Sequence, residues 1–130
     1  MDTRTKVLSA REASAVARRL HEEGKTLNLA VGYFDPVLAA HARRLKGARE
    51  GAAALAVVIA DPPRPILPAR ARAELVAALE AADYVVLPGD EPLEGLVARL
   101  DGAEVLRGEA ADLELTEKLI QHVHTRQRTS

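Results

Sequence analysis

The sequence predicts an α/β fold, a parallel sheet with helices on both faces. Three observations predict it. Apolar runs of strand length alternate with stretches of helical periodicity. One of those runs, AALAVVIAD at residues 53–61, is nearly unbroken, as a strand buried on both faces must be. Turn-forming residues punctuate the runs: Gly24, Gly51, the 62–68 proline stretch, PGDEP and Asp101-Gly102 stand between elements, and Gly32 breaks the first run near its end.

Each element has a local reason. Ser9 is a helix N-cap with Glu12 as its capping-box partner; Ala13, Val16, Ala17 and Leu20 form the apolar stripe, and Gly24 ends the helix. In TLNLAVGYF, residues 26–34, Leu27, Leu29 and Val31 alternate, so the first strand ends near Gly32 or Tyr33. Pro36 forces a turn or a first helical turn, and residues 37–49 read as a helix with Gly51 just beyond. After the buried strand, PPRPILP at residues 62–68 is a loop. Residues 70–82 carry Leu75, Leu79 and Ala82 on one helical face, and DYVVL, residues 83–87, is the third strand. Asp90 is a candidate cap for the helix bearing Leu93, Leu96, Val97 and Leu100, which Asp101-Gly102 ends. Residues 103–106 are a short fourth strand, 113–124 a last helix, and RQRTS a frayed tail.

The predicted order is one helix, then β-α-β-α-β-α-β-α. With right-handed crossovers this is a Rossmann-like, doubly wound α/β/α sandwich. Ligands in such folds sit beyond the C-terminal ends of the strands. Residues 32–41, 61–72 and 87–91 are expected to face that site.

At 130 residues, one domain is expected over 1–130: an N-terminal helix within 1–24, a core over 25–125 and a tail over 126–130. A chain of this size buries roughly 67% of its extended surface, enough for a real core. Aromatics are only 2%, so Ala, Leu and Val must fill it. The 18 basic and 19 acidic residues leave a net charge of -1, which argues against a nucleic-acid-coating protein. The absence of cysteine excludes disulfides, thiolate metal sites and cysteine nucleophiles. With no signal-like apolar core and no run of membrane-spanning length, the expectation is a cytoplasmic protein with no membrane partner.

VGYFDPVLAAHARRL, after the first strand, resembles the nucleotidyltransferase superfamily, whose signature here reads G-x-F-D-x-x-H-x-G-H. The nearest likeness is to its cytidylyltransferase-like members: glycerol-phosphate cytidylyltransferases and the adenylyltransferase domain of ADP-heptose synthases. Gly32, Phe34, Asp35 and His41 fall on matching positions; Leu38 replaces the first histidine and Ala40 the glycine. Arg64, Pro65, Pro68, Arg72, Leu75, Leu79, Asp83 and Tyr84 match a second segment without gaps. LTEKLIQHV is similar to the family's S-T-T-x-I-I helix start, with Thr116 kept. The resemblance covers roughly residues 20–125. The family has about one more strand and helix where only GEAADLE stands here, so this chain is truncated near its C-terminus. EVLRG is either the family's V-K-G strand, with Arg107 near its lysine, or the later strand.

The resemblance implies transfer of AMP or CMP from ATP or CTP to a phosphorylated small molecule, with release of pyrophosphate. The resemblance also implies Mg²⁺, which in the family usually bridges the phosphates. Such catalysis is positioning and charge neutralisation. His41 and Arg72 are the implied catalytic residues; Gly32, Tyr33, Phe34, Asp35 and Thr116 are the implied nucleotide-binding ones. Leu38 cannot donate a hydrogen bond, and losing one charge-stabilising donor costs about 100- to 1000-fold in rate. Impaired or absent catalysis with surviving nucleotide binding is therefore expected, the alternative being a non-catalytic scaffold that binds a protein partner. A homodimer is implied by resemblance only.

Each residue also has a plainer reading. His41 fits a half-buried helix histidine, Asp35 a helix cap, and Arg64, Arg70 and Arg72 a solvated basic face. His122 and His124, two apart on a helix, face different ways, so no metal site is expected. Arg43 and Arg44 are the nearest cations to the lost histidine.

Overall fold

The computed structural model describes residues 3–129. After a short 3₁₀ turn at Thr3–Lys6 come β1 (Val7–Ser9), α1 (Ala10–Glu22), β2 (Leu27–Gly32), α2 (Ala39–Arg49) and β3 (Ala54–Ile59). Then follow α3 (Ala69–Ala77), β4 (Tyr84–Leu87), α4 (Leu93–Leu100), β5 (Val105–Arg107) and α5 (Glu109–Thr129).

The five strands form one parallel sheet in the order β1-β4-β3-β2-β5. The two central strands, β2 and β3, are buried along their whole length. Their side chains alternate between two cores. Leu27, Leu29, Val31, Ala56 and Val58 pack with Ala13, Ala17 and Leu20 of α1 and Leu96 and Leu100 of α4. Ala30, Leu55, Val57 and Ile59 pack with Leu45 of α2 and Ala73, Val76 and Ala77 of α3. This is the Rossmann-like α/β/α sandwich that the alternation predicts. The many alanines let helix backbones approach the sheet closely, offsetting the scarcity of aromatics.

The chain leaves β2 on one side through β3 and β4, and returns to its other side with β5. The strand order therefore reverses at the β2–β5 border, where such folds bind ligands.

Local chemistry explains the boundaries. The Ser9–Glu12 capping box forms in both directions, at 3.2 and 3.0 Å. Gly24, at φ +70°, leaves the helix through a conformation that side chains resist. Asn28 is buried in β2, donating to the Ala48 carbonyl at 3.0 Å and accepting the Glu104 amide at 3.2 Å.

Several elements differ from the sequence expectation. β1 was not anticipated, because three residues beside a strong capping box carry no periodic signal. α2 starts at Ala39 rather than residue 37, since Asp35-Pro36 belongs to the turn. α3 stops at Ala77 and turns Arg72, Ala73, Val76 and Ala77 inward, leaving Leu75 exposed. Pro92 rather than Asp90 caps α4, and Asp101 itself takes the left-handed position that ends it. α5 is a 21-residue helix that runs through the expected tail to Thr129; Ser130 lies outside the described residues. β5 lies directly beside β2, and α5 follows it at once, so no further strand intervenes. Among the described residues, no helix is long and apolar enough to cross a membrane.

Candidate functional site

The site lies where β2 and β5 end. Beyond Gly32 the chain turns sharply, and Phe34 takes φ +50°, a left-handed conformation that costs a non-glycine residue of order 1–3 kcal/mol. That turn points the Tyr33 and Phe34 amides the same way, as in the concave amide arrangements that bind anions. Phe34 is fully buried and its ring lies 5.1 Å from that of His41.

The anion these amides meet is Asp112, from the first turn of α5. Its Oδ2 accepts the Tyr33 N–H at 2.8 Å and the Phe34 N–H at 3.4 Å. Its Oδ1 accepts His41 Nε2 at 2.8 Å and lies 2.7 Å from Arg44 Nη1, which forms an ion pair off the line of a hydrogen bond. Asp112 and His41 are each only 1% exposed. Burial by itself pushes the Asp112 carboxyl up. The hydrogen bonds from His41 and the Tyr33 amide, with the adjacent Arg44 guanidinium, outweigh it and hold the group below its ordinary range.

His41 has no free nitrogen. Nδ1 accepts the Leu38 amide at 2.9 Å, so the ring proton sits on Nε2 and is donated to Asp112. From the third position of α2, His41 thus caps the helix by reaching back to Leu38, whose apolar side chain makes no cap bond.

Two glycines make room for this cluster. A Cβ on Gly32 would lie 2.5 Å from Asp112 Oδ2 and 2.8 Å from the Phe34 ring. A Cβ on Gly108 would collide with Arg44 Nη1. In this structure the close approach at Gly32 is made by the chain's own carboxylate.

Asp35 is buried and accepts the Ile66 and Leu67 amides at 2.6 and 2.8 Å. It caps the proline-rich loop rather than α2. Thr116 Oγ1 donates to the Asp35 carbonyl at 2.8 Å, bringing the final helix to the first motif. Arg72 is 1% exposed and turned inward. It donates to the carbonyls of Leu67, Tyr33 and Ala60 and pairs with Asp61 at 2.7 Å, knitting the ends of β2 and β3 to the loop. The structure thus brings Gly32, Tyr33, Phe34, Asp35, His41 and Thr116 together, with Arg72 behind them.

Beside this knot, at the C-terminal ends of β2, β3 and β4, lies an open cleft of about 520 Å³. Tyr33, Asp61, Arg70, Gly89 and Glu91 line it. A larger hollow of about 730 Å³, between Arg49 and Asp83, opens at the opposite end of the sheet, away from the motif residues.

Of the two cations after the motif, Arg44 reaches the cluster, whereas Arg43 is exposed. Arg107, at the end of β5, is held between Glu94 and Glu109. Among the described residues, no group of three or more acidic, histidine or cysteine side chains could hold a metal ion. Asp112 was missed in the sequence: an acidic residue in a first helical turn reads as dipole compensation, and nothing nearby marks it as the partner of a residue 79 positions earlier.

No protein-family model and no curated protein matches the sequence. Among solved structures, the fold is similar to the lipopolysaccharide core biosynthesis protein from Thermoplasma volcanium GSS1, with a TM-score of 0.57 and 22% identity. The match covers 63% of this chain and 73% of that one. At that identity the likeness shows the fold, and it supports the α/β/α architecture independently of the motif residues.

Proposed function

We propose that this chain is a nucleotidyltransferase-like, nucleotide-binding protein in which transfer of AMP or CMP to a phosphorylated small molecule is impaired. One observation carries the reading: the donors where the motif resemblance puts nucleotide phosphates converge on Asp112. The ligand class follows from those donors, since two amides, an imidazole N–H and a guanidinium suit a phosphoryl oxygen. The adjoining cleft has room for more of a nucleotide. The biosynthetic name of the structural neighbour is compatible with such a role.

In the impaired reaction, Arg44 and the N-terminus of α2 would neutralise phosphate charge, and Leu38 supplies no donor where the family has its first histidine. His41 acts on the phosphates only when Nε2 is released from Asp112. Arg72 acts through position, holding the Tyr33 carbonyl and so the amide turn. With no metal-holding carboxylate cluster among the described residues, Mg²⁺ would come with the nucleotide's own phosphates.

Calorimetric titration with ATP and CTP, with and without Mg²⁺, tests the reading. Micromolar binding with no pyrophosphate release from either nucleotide across sugar and alditol phosphates is the expected result. Rapid pyrophosphate release would show intact catalysis. Failure of both nucleotides to bind would favour the scaffold reading. Leu113, Ile120 and Val123, each 43% exposed on α5, are the observation on that side.

A further inference from the structure

The Asp112 carboxylate sits as a bound anion would. It is almost fully buried, faces donors from three directions, and has Gly32 shaped around its Oδ2. The strand and helix that carry it are largely exposed. β5 is exposed along its length, and α5 is exposed at most positions from 113 to 126. Besides the Asp112 carboxylate, the inward ties of α5 include the Thr116 bond to the Asp35 carbonyl.

We propose that Asp112 is an internal competitor for an oxyanion site formed by the Tyr33 and Phe34 amides, His41 Nε2 and Arg44. A phosphoryl group entering that site displaces the carboxylate and frees the first turns of α5. The inference rests on the nucleotide-binding reading for its ligand class, and adds that occupancy is governed by the chain itself. The physical basis is mutual exclusion. Two anions cannot share Oδ-sized space against the same four donors, because like charges at such range repel strongly in a water-poor pocket. A ligand can shift the position of α5 only by the difference in its affinity for the two states. Asp112 therefore lowers apparent phosphate affinity by the fraction of time it holds the donors.

The probe is inorganic pyrophosphate, titrated into the full chain and into Asp112→Ala and Asp112→Asn. Circular dichroism verifies that each variant is folded. Binding at least 10-fold tighter in Asp112→Ala than in the parent is the expected result. In the parent chain, saturating pyrophosphate should speed amide hydrogen exchange in residues 109–117. This second readout needs no variant and stands even where Asp112→Ala fails to fold. Equal affinity for parent and folded variants, or binding to the parent with no change in residues 109–117, overturns the internal competitor. So does failure of pyrophosphate to bind any form. ATP or CTP binding to the parent in the earlier titration would leave the nucleotide reading intact in each of those cases.

Discussion

The central sheet and the β5–α5 unit are held by different forces. β2 and β3 bury every residue, and their neighbours on both faces are mostly Ala, Leu, Val and Ile, with Phe34 on one. β5 buries none of its three residues, and α5 shows Leu113, Ile120 and Val123 to solvent. The first region coheres through non-directional apolar burial, which tolerates substitutions that conserve volume. The second is fixed at its root by the β2–β5 ladder, the Thr116 bond and a buried carboxylate, a directional set of hydrogen bonds in which single atoms matter. Removing one residue thus degrades the sheet in proportion to volume, but can unfasten the final helix outright.

Substitutions can break that comparison. The largest effect is expected for Phe34→Ala, which empties a fully buried ring position and should cost about 3–5 kcal/mol in a urea titration. A loss under about 1 kcal/mol would mean the ring is not part of the core. Asp112→Ala should cost about 2–3 kcal/mol, as expected for hydrogen bonds to a charged group. The loss should appear as fast hydrogen exchange confined to α5, with β2 and β3 still protected; uniform loss would erase the distinction between the two regions.

Gly32→Ala should cost about 1–3 kcal/mol through overpacking against Asp112 Oδ2 and the Phe34 ring. Combined with Asp112→Ala, its cost should shrink, because one of the two colliding atoms is gone. Strict additivity in the double-mutant cycle would show that the carboxylate is not what Gly32 accommodates.

Acid supplies a smaller, graded test. The Asp112 carboxyl is held below its ordinary range in the folded chain, so the folded state binds its proton less readily than the unfolded one. Its contribution is complete above about pH 4 and is lost as pH falls through the folded value. The stability gap between the parent and Asp112→Asn should therefore narrow as pH falls below about 4. A gap independent of pH would contradict an ionised, depressed carboxyl. The smallest effect is expected for Ile120→Ser on the exposed face of α5, within about 0.5 kcal/mol of the parent.

The sheet was legible in the sequence because burial on both faces leaves an unmistakable composition, as in residues 54–59. The Ser9 capping box was legible because its partners are three residues apart. The motif segment marked Gly32, Phe34, Asp35 and His41 as neighbours, and the structure gathers them. What those residues touch was not legible. Asp35 meets the amides of residues 66 and 67, Arg72 turns inward to carbonyls, and Asp112 closes the site from 71 positions beyond His41. Backbone amides and carbonyls have no letter in the sequence, so a side chain whose partners are main-chain atoms leaves no pattern to read. β1 and the full length of α5 escaped for a related reason: both are set by what they join rather than by their own periodicity.

The separation between Tyr33 and Asp112 also has a consequence for the order of assembly. The Tyr33 amide and the carboxylate that it binds are 79 positions apart, so the donors leave the ribosome well before their acceptor. Until the last helix emerges, two main-chain N–H groups, an imidazole and a guanidinium wait beside a hydrophobic layer with water or a passing anion for company. The earlier strands can already pair, since β2, β3 and β4 follow one another in sequence and all three borders among them and β1 need no later residue. Closure of the β2–β5 border is then the long-range step, and its loop entropy makes it the natural last event in folding.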